Sequence, residues 1–486
     1  MFRTLMLLAG AGATLAAAAS YAADPPRRPN IVLILADDLG WTDLGCQGSK
    51  FYETPNIDRL ASLGVRFTDG YTCGPNCQPT RAALMSGQYG PRNGNYTVGS
   101  TSRFDTTSRP LVPVENAVGL APEKVTVAEA LKAAGYATGM FGKWHLGNSP
   151  AMHPANQGFD EAIVSAGQHF NFATNPKVEV PEGAYLADFL TDKAVDFLER
   201  HKDGPFFLYL PHFGVHSPHH AKPELIGRFE DKAGVGGHRN PTYAAMIASV
   251  DESVGRVLAK LDELKLIENT LVIFSSDNGG VGGYAAAGIP RAGGITDNSP
   301  LRGGKGMLYE GGVRVPFLFA WQGTIPAGRT CGEPILSVDL FPTLLELAGA
   351  GPPADHPLDG VSIVGLLRAG GEGKLPREAI YWHFPGYLGA GGDSWRTTPA
   401  GAIRAGDYKL LEFFEDGRLE LFNLRDDLGQ KVDLAQKEPE KTKQLHEQLV
   451  AWRTSIDAPM PRKRQPGETS PAKAKGKKKG KRKTGL

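Results

Sequence analysis

The stretch Ile31-Val-Leu-Ile-Leu-Ala-Asp-Asp-Leu-Gly40 sets six apolar residues directly before two carboxylates. A short apolar run without polar alternation is typical of a strand that is buried on both faces of a sheet. Three further runs have this character: FFLYL (206–210), LVIF (271–274) and VPFLFAW (315–321). Helical segments with capping signals lie between the runs. The sequence therefore predicts an α/β domain with a large, mainly parallel or mixed β-sheet sandwiched by helices.

The chain of 486 residues divides into four parts by composition. A Gly-rich stretch near residue 370 gives way to the strand-like runs AIYWHF (379–384) and LELFNL (419–424), which a helix follows. This change favours a second, antiparallel α+β subdomain. The predicted parts are a signal peptide at 1–22, the α/β domain at 24–370, the C-terminal subdomain at 371–460 and a disordered basic tail at 461–486.

The N-terminus has the pattern of an export signal. Arg3 precedes an apolar stretch at 5–19, and the small-residue site Ser20-Tyr21-Ala22 follows. A membrane anchor is the alternative, but the apolar stretch is short and rich in alanine, and Asp-Pro-Pro at 24–26 interrupts it. We therefore expect signal-peptide cleavage and a periplasmic or extracellular location.

The C-terminal tail is strongly basic. Between Pro461 and Leu486 it carries eleven Lys or Arg residues and one Glu, whereas the formal charge of the whole chain is +1, so the rest is mildly acidic. Because an exported protein seldom meets nucleic acid, we expect no nucleic-acid partner. Attachment to a polyanionic polysaccharide or an anionic surface is one interpretation of the tail, and a solvated tail without a partner is the other.

Polar residues follow several apolar strands at the point where each strand ends. These are Asp37 and Asp38, Lys143 and His145, His212 and His216, and Asp277 and Asn278. Ligands in α/β folds collect at the carboxyl ends of strands. Carboxylate and amide oxygens favour calcium, with magnesium as the alternative, over zinc. Together with the cationic side chains of Arg81, Lys143 and Lys305, such a pocket suits a compact tetrahedral anion.

The segment CGPNCQPTRAALMSGQYG (73–90) sets Cys77 at or just before the N-terminus of a helix that Pro79 opens and Gly87 ends. A helix N-terminus attracts anions and lowers the pKa of a thiol, so Cys77 is a candidate nucleophile. A buried structural cysteine and a disulfide within this segment are the alternatives. The chain has four cysteines, which are too few for a disulfide scaffold.

Cys77-Gln-Pro-Thr-Arg81 matches the CxPxR signature of the type I sulfatases, the formylglycine-dependent branch of the alkaline phosphatase superfamily. Further segments resemble that family in its own order: NIVLILADDLG (30–40), GKWHLG (142–147), FFLYLPHFGVHSPH (206–219), FSSDNGG (274–280), LRGGKGMLYEGGVRVP (301–316) and IRAGDYKLL (403–411). The resemblance implies an alkaline-phosphatase-like fold with residues 24–370 as the catalytic domain.

The resemblance also implies how the reaction proceeds. A formylglycine-generating maturation enzyme would oxidise Cys77 to Cα-formylglycine, and the hydrated aldehyde would be the nucleophile. The implied calcium ligands are Asp37, Asp38, Asp277, Asn278 and the hydrated residue 77. The other implied catalytic residues are Arg81 and His145 at the hydrate, Lys143 and Lys305 at the sulfate, and His216 as the acid for the leaving alcohol.

The implied activity is release of inorganic sulfate from a sulfated small molecule or glycan, and export favours a sulfated carbohydrate. Substrate contacts are expected from His169, His383 and Arg404. The alternatives are a phosphodiester or phosphonate monoester hydrolase of the same superfamily, and a noncatalytic sulfoglycan-binding protein in which Cys77 stays unmodified. A cysteine hydrolase would leave the acidic cluster unexplained.

Overall fold

The structure is a computed structural model, and it describes residues 28–290, 293–391 and 394–470. The expected signal peptide and residues 471–486 of the expected tail lie outside the described residues. The strands are β1 (Asn30–Ala36), β2 (Val65–Phe67), β3 (Gly70–Tyr71), β4 (Leu111–Val112), β5 (Ala137–Gly142), β6 (Glu161–Val164), β7 (Phe206–Pro211), β8 (Thr270–Ser276), β9 (Phe317–Ala320), β10 (Arg329–Cys331), β11 (Ile335–Leu336), β12 (Ala379–Phe384), β13 (Leu388–Gly391), β14 (Ser394–Thr397), β15 (Ala400–Ala405), β16 (Tyr408–Phe413), β17 (Leu419–Asn423) and β18 (Arg462–Lys463).

The helices carry the capping signals that the sequence shows. α1 begins at a proline, and Thr126 and Glu129 form a reciprocal capping box at the start of α4. The helices are α1 (Pro55–Ser62), α2 (Cys77–Ser86), α3 (Gly90–Asn93), α4 (Val127–Ala133), α5 (Leu186–Arg200), α6 (Pro223–Glu230), α7 (Pro241–Glu263), α8 (Glu310–Val313), α9 (Leu340–Ala348), α10 (Val364–Arg368) and α11 (Pro439–Ser455). Among the described residues, none of these helices combines the length and the apolar character needed to cross a membrane.

The main sheet has eight strands in the order β10-β2-β9-β8-β1-β7-β5-β6. Strands β8, β1, β7, β5 and β6 run parallel to one another, whereas β9 runs antiparallel to both β8 and β2. The sheet is therefore mixed, with a parallel centre. This arrangement confirms the predicted α/β class.

Strand β1 shows why the sheet has helices on both faces. Val32 and Ile34 enter one apolar core, and Ile31, Leu33 and Leu35 enter the other, because successive side chains of a strand point to opposite faces. The first core is closed by α1, α5, α6 and α7, and the second by α2, α4, α9 and α10. Full burial of one such aliphatic side chain contributes about 1.5–3 kcal/mol. The apolar run 31–35 therefore specifies a central strand.

The C-terminal part is a four-stranded antiparallel sheet in the order β12-β15-β16-β17. Ile403 and Leu410 on one face pack with α11, whereas Ala402 and Leu411 on the other face pack against the main domain. The buried ion pair between Lys409 Nζ and Glu310 Oε1, at 2.7 Å, links β16 to the main domain. The subdomain is thus fixed to the main domain by packing and by charge.

The first residues of the expected tail are ordered, which corrects the prediction of disorder from residue 461 onward. Arg462 and Lys463 pair antiparallel with Val112 and Leu111, and the guanidinium of Arg464 donates to the Leu111 carbonyl at 3.1 Å. These contacts use backbone and guanidinium hydrogen bonds. A search of the sequence for apolar anchors therefore missed them.

Candidate active site

The parallel centre of the sheet brings the polar pairs together. Strands β8, β1, β7 and β5 are adjacent and parallel, so their carboxyl ends share one edge. Most side chains that follow these strands accordingly meet one another and Cys77, whereas the Nε2 of His212 lies 2.9 Å from Ser253 Oγ on α7. One ligand atom from each of four residues lies within 4.8 Å of the others, and the four are Asp37, Asp38, Cys77 and His216. The convergence predicted from the sequence is present.

A left-handed turn positions the two successive carboxylates. Asp38 has a φ of +65°, a conformation that Asp tolerates better than most residues. Its N–H donates to Asp277 Oδ1 at 3.2 Å, and its carbonyl accepts from the Tyr243 hydroxyl at 3.2 Å. In an extended strand the two carboxylates would point to opposite faces. The turn lets both join the cluster.

Cys77 is the first residue of α2 and is 1% exposed. Its Sγ lies 3.5 Å from Asp37 Oδ1 and 3.3 Å from Lys305 Nζ. All four cysteines of the chain are free, so the structure does not contain a disulfide in the 73–90 segment. The thiol therefore stands within the charged cluster, between an acid and a cation.

The thiol itself is a poor nucleophile here. Burial, followed by the negative charge of Asp277, raises the pKa of Cys77 to about 12, although Lys143 and Lys305 oppose the rise. The sequence led us to expect the helix N-terminus to lower this pKa, and the structure corrects that expectation. Desolvation of the thiolate outweighs the helix dipole. A cysteine hydrolase mechanism finds no support in this geometry.

Three cations surround residue 77. The fully buried Arg81 donates from Nε to Asp277 Oδ2 at 2.9 Å and from Nη1 to the Lys143 carbonyl at 2.7 Å. Lys143 forms an ion pair with Asp37, and Lys305 forms one with Asp38 at 2.5 Å. Each predicted cation therefore belongs to the cluster.

These cations decide the charge of the acids. Burial alone would raise the pKa of Asp37, but Lys143 and the other nearby positive groups hold it well below its usual range. Burial would also raise the pKa of Asp38, but Lys305 and other positive groups lower it. The pKa of Asp277 is raised by burial and by Asp37. The two adjacent carboxylates Asp37 and Asp38 are thus negative at neutral pH, and the site holds opposite charges in close contact.

Two histidines border the cluster in different environments. His145 is half-buried with an unpartnered Nδ1, and burial followed by the positive charge of Lys143 lowers its pKa to about 3. His216 is half-buried, its Nε2 lies 3.7 Å from Asp38 Oδ2, and its Nδ1 is 2.6 Å from the Ser217 carbonyl. His145 is therefore a neutral hydrogen-bonding group, and His216 presents Nε2 to the site.

The donor set fits a calcium ion. Asn278 donates from Nδ2 to Asp38 Oδ1 at 2.8 Å, and its buried Oδ1 has no hydrogen-bond partner. An orphaned buried carbonyl oxygen beside the carboxylates of Asp37 and Asp38 is what a hard cation with oxygen ligands requires. The residues Asp37, Asp38, Asp277 and Asn278 could hold such an ion together with an oxygen on residue 77.

Three residues expected to touch substrate have other positions, which corrects those expectations. His169 is buried, and its Nε2 lies 2.8 Å from the His216 carbonyl, so it contacts the backbone that carries His216. His383 lies with its Nε2 2.8 Å from the Pro459 carbonyl. Arg404 pairs with Asp69 at 2.5 Å in the contact between the two domains. Their positions depend on long-range packing, which local sequence patterns do not encode.

Two further residues support the site, and no sequence motif predicts them. Ser276 accepts from the N–H of Leu39 at 3.1 Å and Tyr243 holds the Asp38 carbonyl, so both fix the turn that carries the acids. Ser276 directly precedes Asp277 and could have been considered on that ground. Tyr243 lies on α7, far away in sequence, and nothing local marks it.

Comparison with known proteins agrees with this geometry. A family model described as Sulfatase matches residues 29–350, and one described as N-sulphoglucosamine sulphohydrolase, C-terminal, matches residues 304–455. A sulfatase of Formosa agariphila is 35% identical over an alignment of 517 positions, which covers 90% of each chain. N-acetylgalactosamine-6-sulfatase of Canis lupus familiaris is 37% identical over 393 residues, which cover 76% of this chain and 71% of that protein.

Among solved structures, Ps i-CgsB in complex with k-i-k-neocarrahexaose is similar with a TM-score of 0.75 and 30% sequence identity. The similarity covers 94% of this chain and 98% of that one. The family model covers well over half of the 486 residues, and relatives above 30% identity span most of the chain. The chain belongs to the sulfatase family of the alkaline phosphatase superfamily.

Proposed function

We propose that this sulfatase releases inorganic sulfate from a sulfated carbohydrate, through a hydrated formylglycine made from Cys77 and with a calcium ion bound beside it. The observation that carries the proposal is the position of Cys77 Sγ, 3.3 Å from Lys305 Nζ and 3.5 Å from Asp37 Oδ1. A nucleophile held between a cation and the acidic cluster is suited to attack on an anionic ester.

Different residues would bind the hydrate of residue 77 and the sulfate group. Arg81, held by Asp277, would fix the hydrate of residue 77, and the neutral His145 would hydrogen-bond to it. Lys143 and Lys305 would hold sulfate oxygens and neutralise the charge that builds up on them. A calcium ion, when bound, supplies further positive charge and aligns the nucleophile.

The proposed bond changes balance without an added reagent other than water. One hydroxyl of the hydrate would pass its proton to the Asp277 carboxylate and form a bond to sulfur as the bond from sulfur to the alcohol oxygen breaks, and His216 would protonate that leaving oxygen. The second hydroxyl would then pass its proton to the His216 imidazole, which lost a proton in the first step, and reform the aldehyde while the carbon–oxygen bond to sulfate breaks. Water afterwards hydrates the aldehyde again. These reaction steps need two hydroxyl groups on one carbon, which a cysteine thiol does not offer.

A carbohydrate substrate is supported by what the related proteins act on or bind. One relative is named as an N-acetylgalactosamine-6-sulfatase, and one related structure contains a neocarrahexaose. The comparisons do not favour the phosphodiester, phosphonate monoester or noncatalytic alternatives. We further propose that the protein acts after export, on the strength of the N-terminal pattern at residues 1–22.

The experiment combines maturation with a substrate screen. The chain is produced together with a formylglycine-generating enzyme, and released sulfate is measured on a panel of sulfated monosaccharides and oligosaccharides, with Cys77→Ala as the matched inactive control. We expect sulfate release from at least one carbohydrate and none from the control. Faster turnover of an aryl phosphodiester than of any sulfate ester would contradict the proposal.

A further inference from the structure

Arg396 on β14 lies near the backbone of Lys305 and has no acidic partner among the described residues. Its guanidinium sits 4.8 Å from the centre of the Tyr284 ring, and the Tyr284 hydroxyl donates to the Lys305 carbonyl at 2.9 Å. A Cβ added at Gly306 would lie 3.2 Å from Arg396 Cδ, so the side chain runs directly over the backbone beside Lys305. The half-buried Arg396 also has a buried Nε without a hydrogen-bond partner.

Arg103 lies near residue 77 as well. Its Nη2 donates to Thr97 Oγ1 at 3.3 Å, and Thr97 Oγ1 also accepts from Asn76 Nδ2 at 3.2 Å. Asn76 directly precedes Cys77. The Arg103 guanidinium lies 4.8 Å from the centre of the Phe104 ring, is exposed, and likewise has no carboxylate partner in the part of the chain that the structure describes.

Arg103 and Arg396 lie close to each other beside the site. The Phe104 and Trp395 rings, each adjacent in sequence to one of the arginines, meet edge to face at 5.9 Å. Partial desolvation lowers the pKa of Arg103, negative charge at Cys77 opposes this, and the like charge of Arg396 adds to it. The two guanidinium groups are therefore within electrostatic range of each other, and Arg103 is within range of residue 77.

A third arginine in this region, Arg109, differs from these two because it has an acidic partner. Arg109 lies 6.0 Å from the centre of the Trp395 ring, but its guanidinium is paired with the Glu415 carboxylate. Two neighbouring cations without such a partner repel each other and gain most from an anion placed between them. Guanidinium groups bind sulfate and carboxylate oxygens in two-pronged geometry. The unpaired arginines are thus suited to bind an anion.

We propose that Arg103 and Arg396 form a second-anion subsite, which binds a sulfate or carboxylate that the substrate carries in addition to the sulfate being removed. The inference rests on the proposed function and narrows its substrate class to glycans with at least two anionic groups on the same or adjacent sugars. Arg396 comes from the C-terminal subdomain and Arg103 from the catalytic domain. The two domains together would therefore select the substrate.

The test compares substrates with one and two anions. The value of kcat/KM is measured for 4-nitrophenyl sulfate and monosulfated sugars, and for disulfated sugars and a sulfated disaccharide that contains a uronic acid. We expect the wild-type enzyme to prefer a two-anion substrate, and Arg103→Gln or Arg396→Gln to lower the ratio of two-anion to one-anion kcat/KM about tenfold. Selective loss on the disulfated or on the uronic substrate identifies the anion.

The ratio of two-anion to one-anion kcat/KM does not depend on the fraction of folded enzyme. Both values come from the same preparation, so any loss of folded protein cancels. Arg425→Gln is the matched control: this exposed arginine pairs with Asp407 in the same subdomain, and its replacement should leave the ratio unchanged. A wild-type enzyme without preference for any two-anion substrate, or variants with an unchanged ratio, would overturn the subsite. Failure to release sulfate from every substrate would instead refute the proposed function.

Discussion

The Nζ of Lys305 lies 3.3 Å from the Sγ of Cys77. The same ammonium pairs with Asp38 at 2.5 Å, so Lys305 touches both the reacting residue and an acid of the cluster. A cation in this position faces the charge that develops when a sulfate ester is attacked.

Lys305→Ala should lower kcat by about 10²–10³-fold, because a preorganised cation beside the reacting atoms is lost. Lys374→Ala is the matched control, since Lys374 is an exposed lysine whose partner is Glu333. Steady-state turnover of an aryl sulfate and circular dichroism measure activity and fold together. Full turnover by the folded Lys305→Ala variant would remove this lysine from the mechanism.

Asp277→Ala should lose calcium and activity together and should also lower stability. Arg81 is fully buried and pairs with Asp277 at 2.7 Å, so removal of the carboxylate leaves a buried charge with weaker compensation. Breaking such a pair costs about 3–5 kcal/mol. Metal analysis of the purified protein and urea unfolding test both effects, and Asp262→Ala, which changes an exposed ion pair, serves as control. Retention of calcium by Asp277→Ala would contradict the assigned donor set.

Removal of calcium should lower the thermal midpoint of the wild-type protein, because an ion that binds only the folded state stabilises it. Asn278→Ala, which deletes the unpartnered Oδ1, should reduce this calcium-dependent shift. Differential scanning calorimetry with chelator and with added calcium measures the shift. An equal shift in wild type and variant would exclude Asn278 as a ligand.

The contact between the two domains should weaken in acid through Glu310. Burial alone would raise the pKa of this carboxyl, but Lys409 and Arg314 lower it to about 2 from the ordinary value of 4.5. Its charge therefore stabilises the fold above pH 4.5, and the contribution of about 3 kcal/mol is lost as the pH falls toward 2. Urea unfolding of wild type and Glu310→Gln should show a shallower acid decline in the variant. Parallel pH curves would refute this.

The two parts of the basic tail should behave differently. Truncation after Ser470 removes eight Lys or Arg residues and keeps β18, so we expect weaker retention on a sulfated polysaccharide column with an unchanged thermal midpoint. Truncation after Met460 also removes the pairing with β4 and should lower the midpoint. Equal midpoints for the two truncations would show that β18 adds no stability.

Much of this architecture could be predicted from local sequence. The run 31–36 had to be a buried central strand, and polar residues after parallel strands had to meet at one edge. The CxPxR segment placed Cys77 at the start of α2. These features depend on periodicity and on strand order, which neighbouring residues encode.

The remaining features depend on contacts between distant segments. Arg404 and His383 were expected to contact substrate because they lie in the C-terminal subdomain, yet they are held by Asp69 and by the Pro459 carbonyl. Arg103 lies in a segment without any motif, and its proximity to Cys77 follows from the fold of the whole domain. A charged residue can have a structural or a functional role. Only its contacts in the folded protein show which role it has.

The most direct test of the central claim is mass spectrometry of the tryptic peptide 67–81, which contains residue 77. The protein is produced with a formylglycine-generating enzyme, and peptide mass and fragment ions are read at position 77. We expect an aldehyde, reactive toward a hydrazine probe, in protein that releases sulfate, and no aldehyde in Cys77→Ala. An unmodified thiol at position 77 in fully active protein would contradict the account.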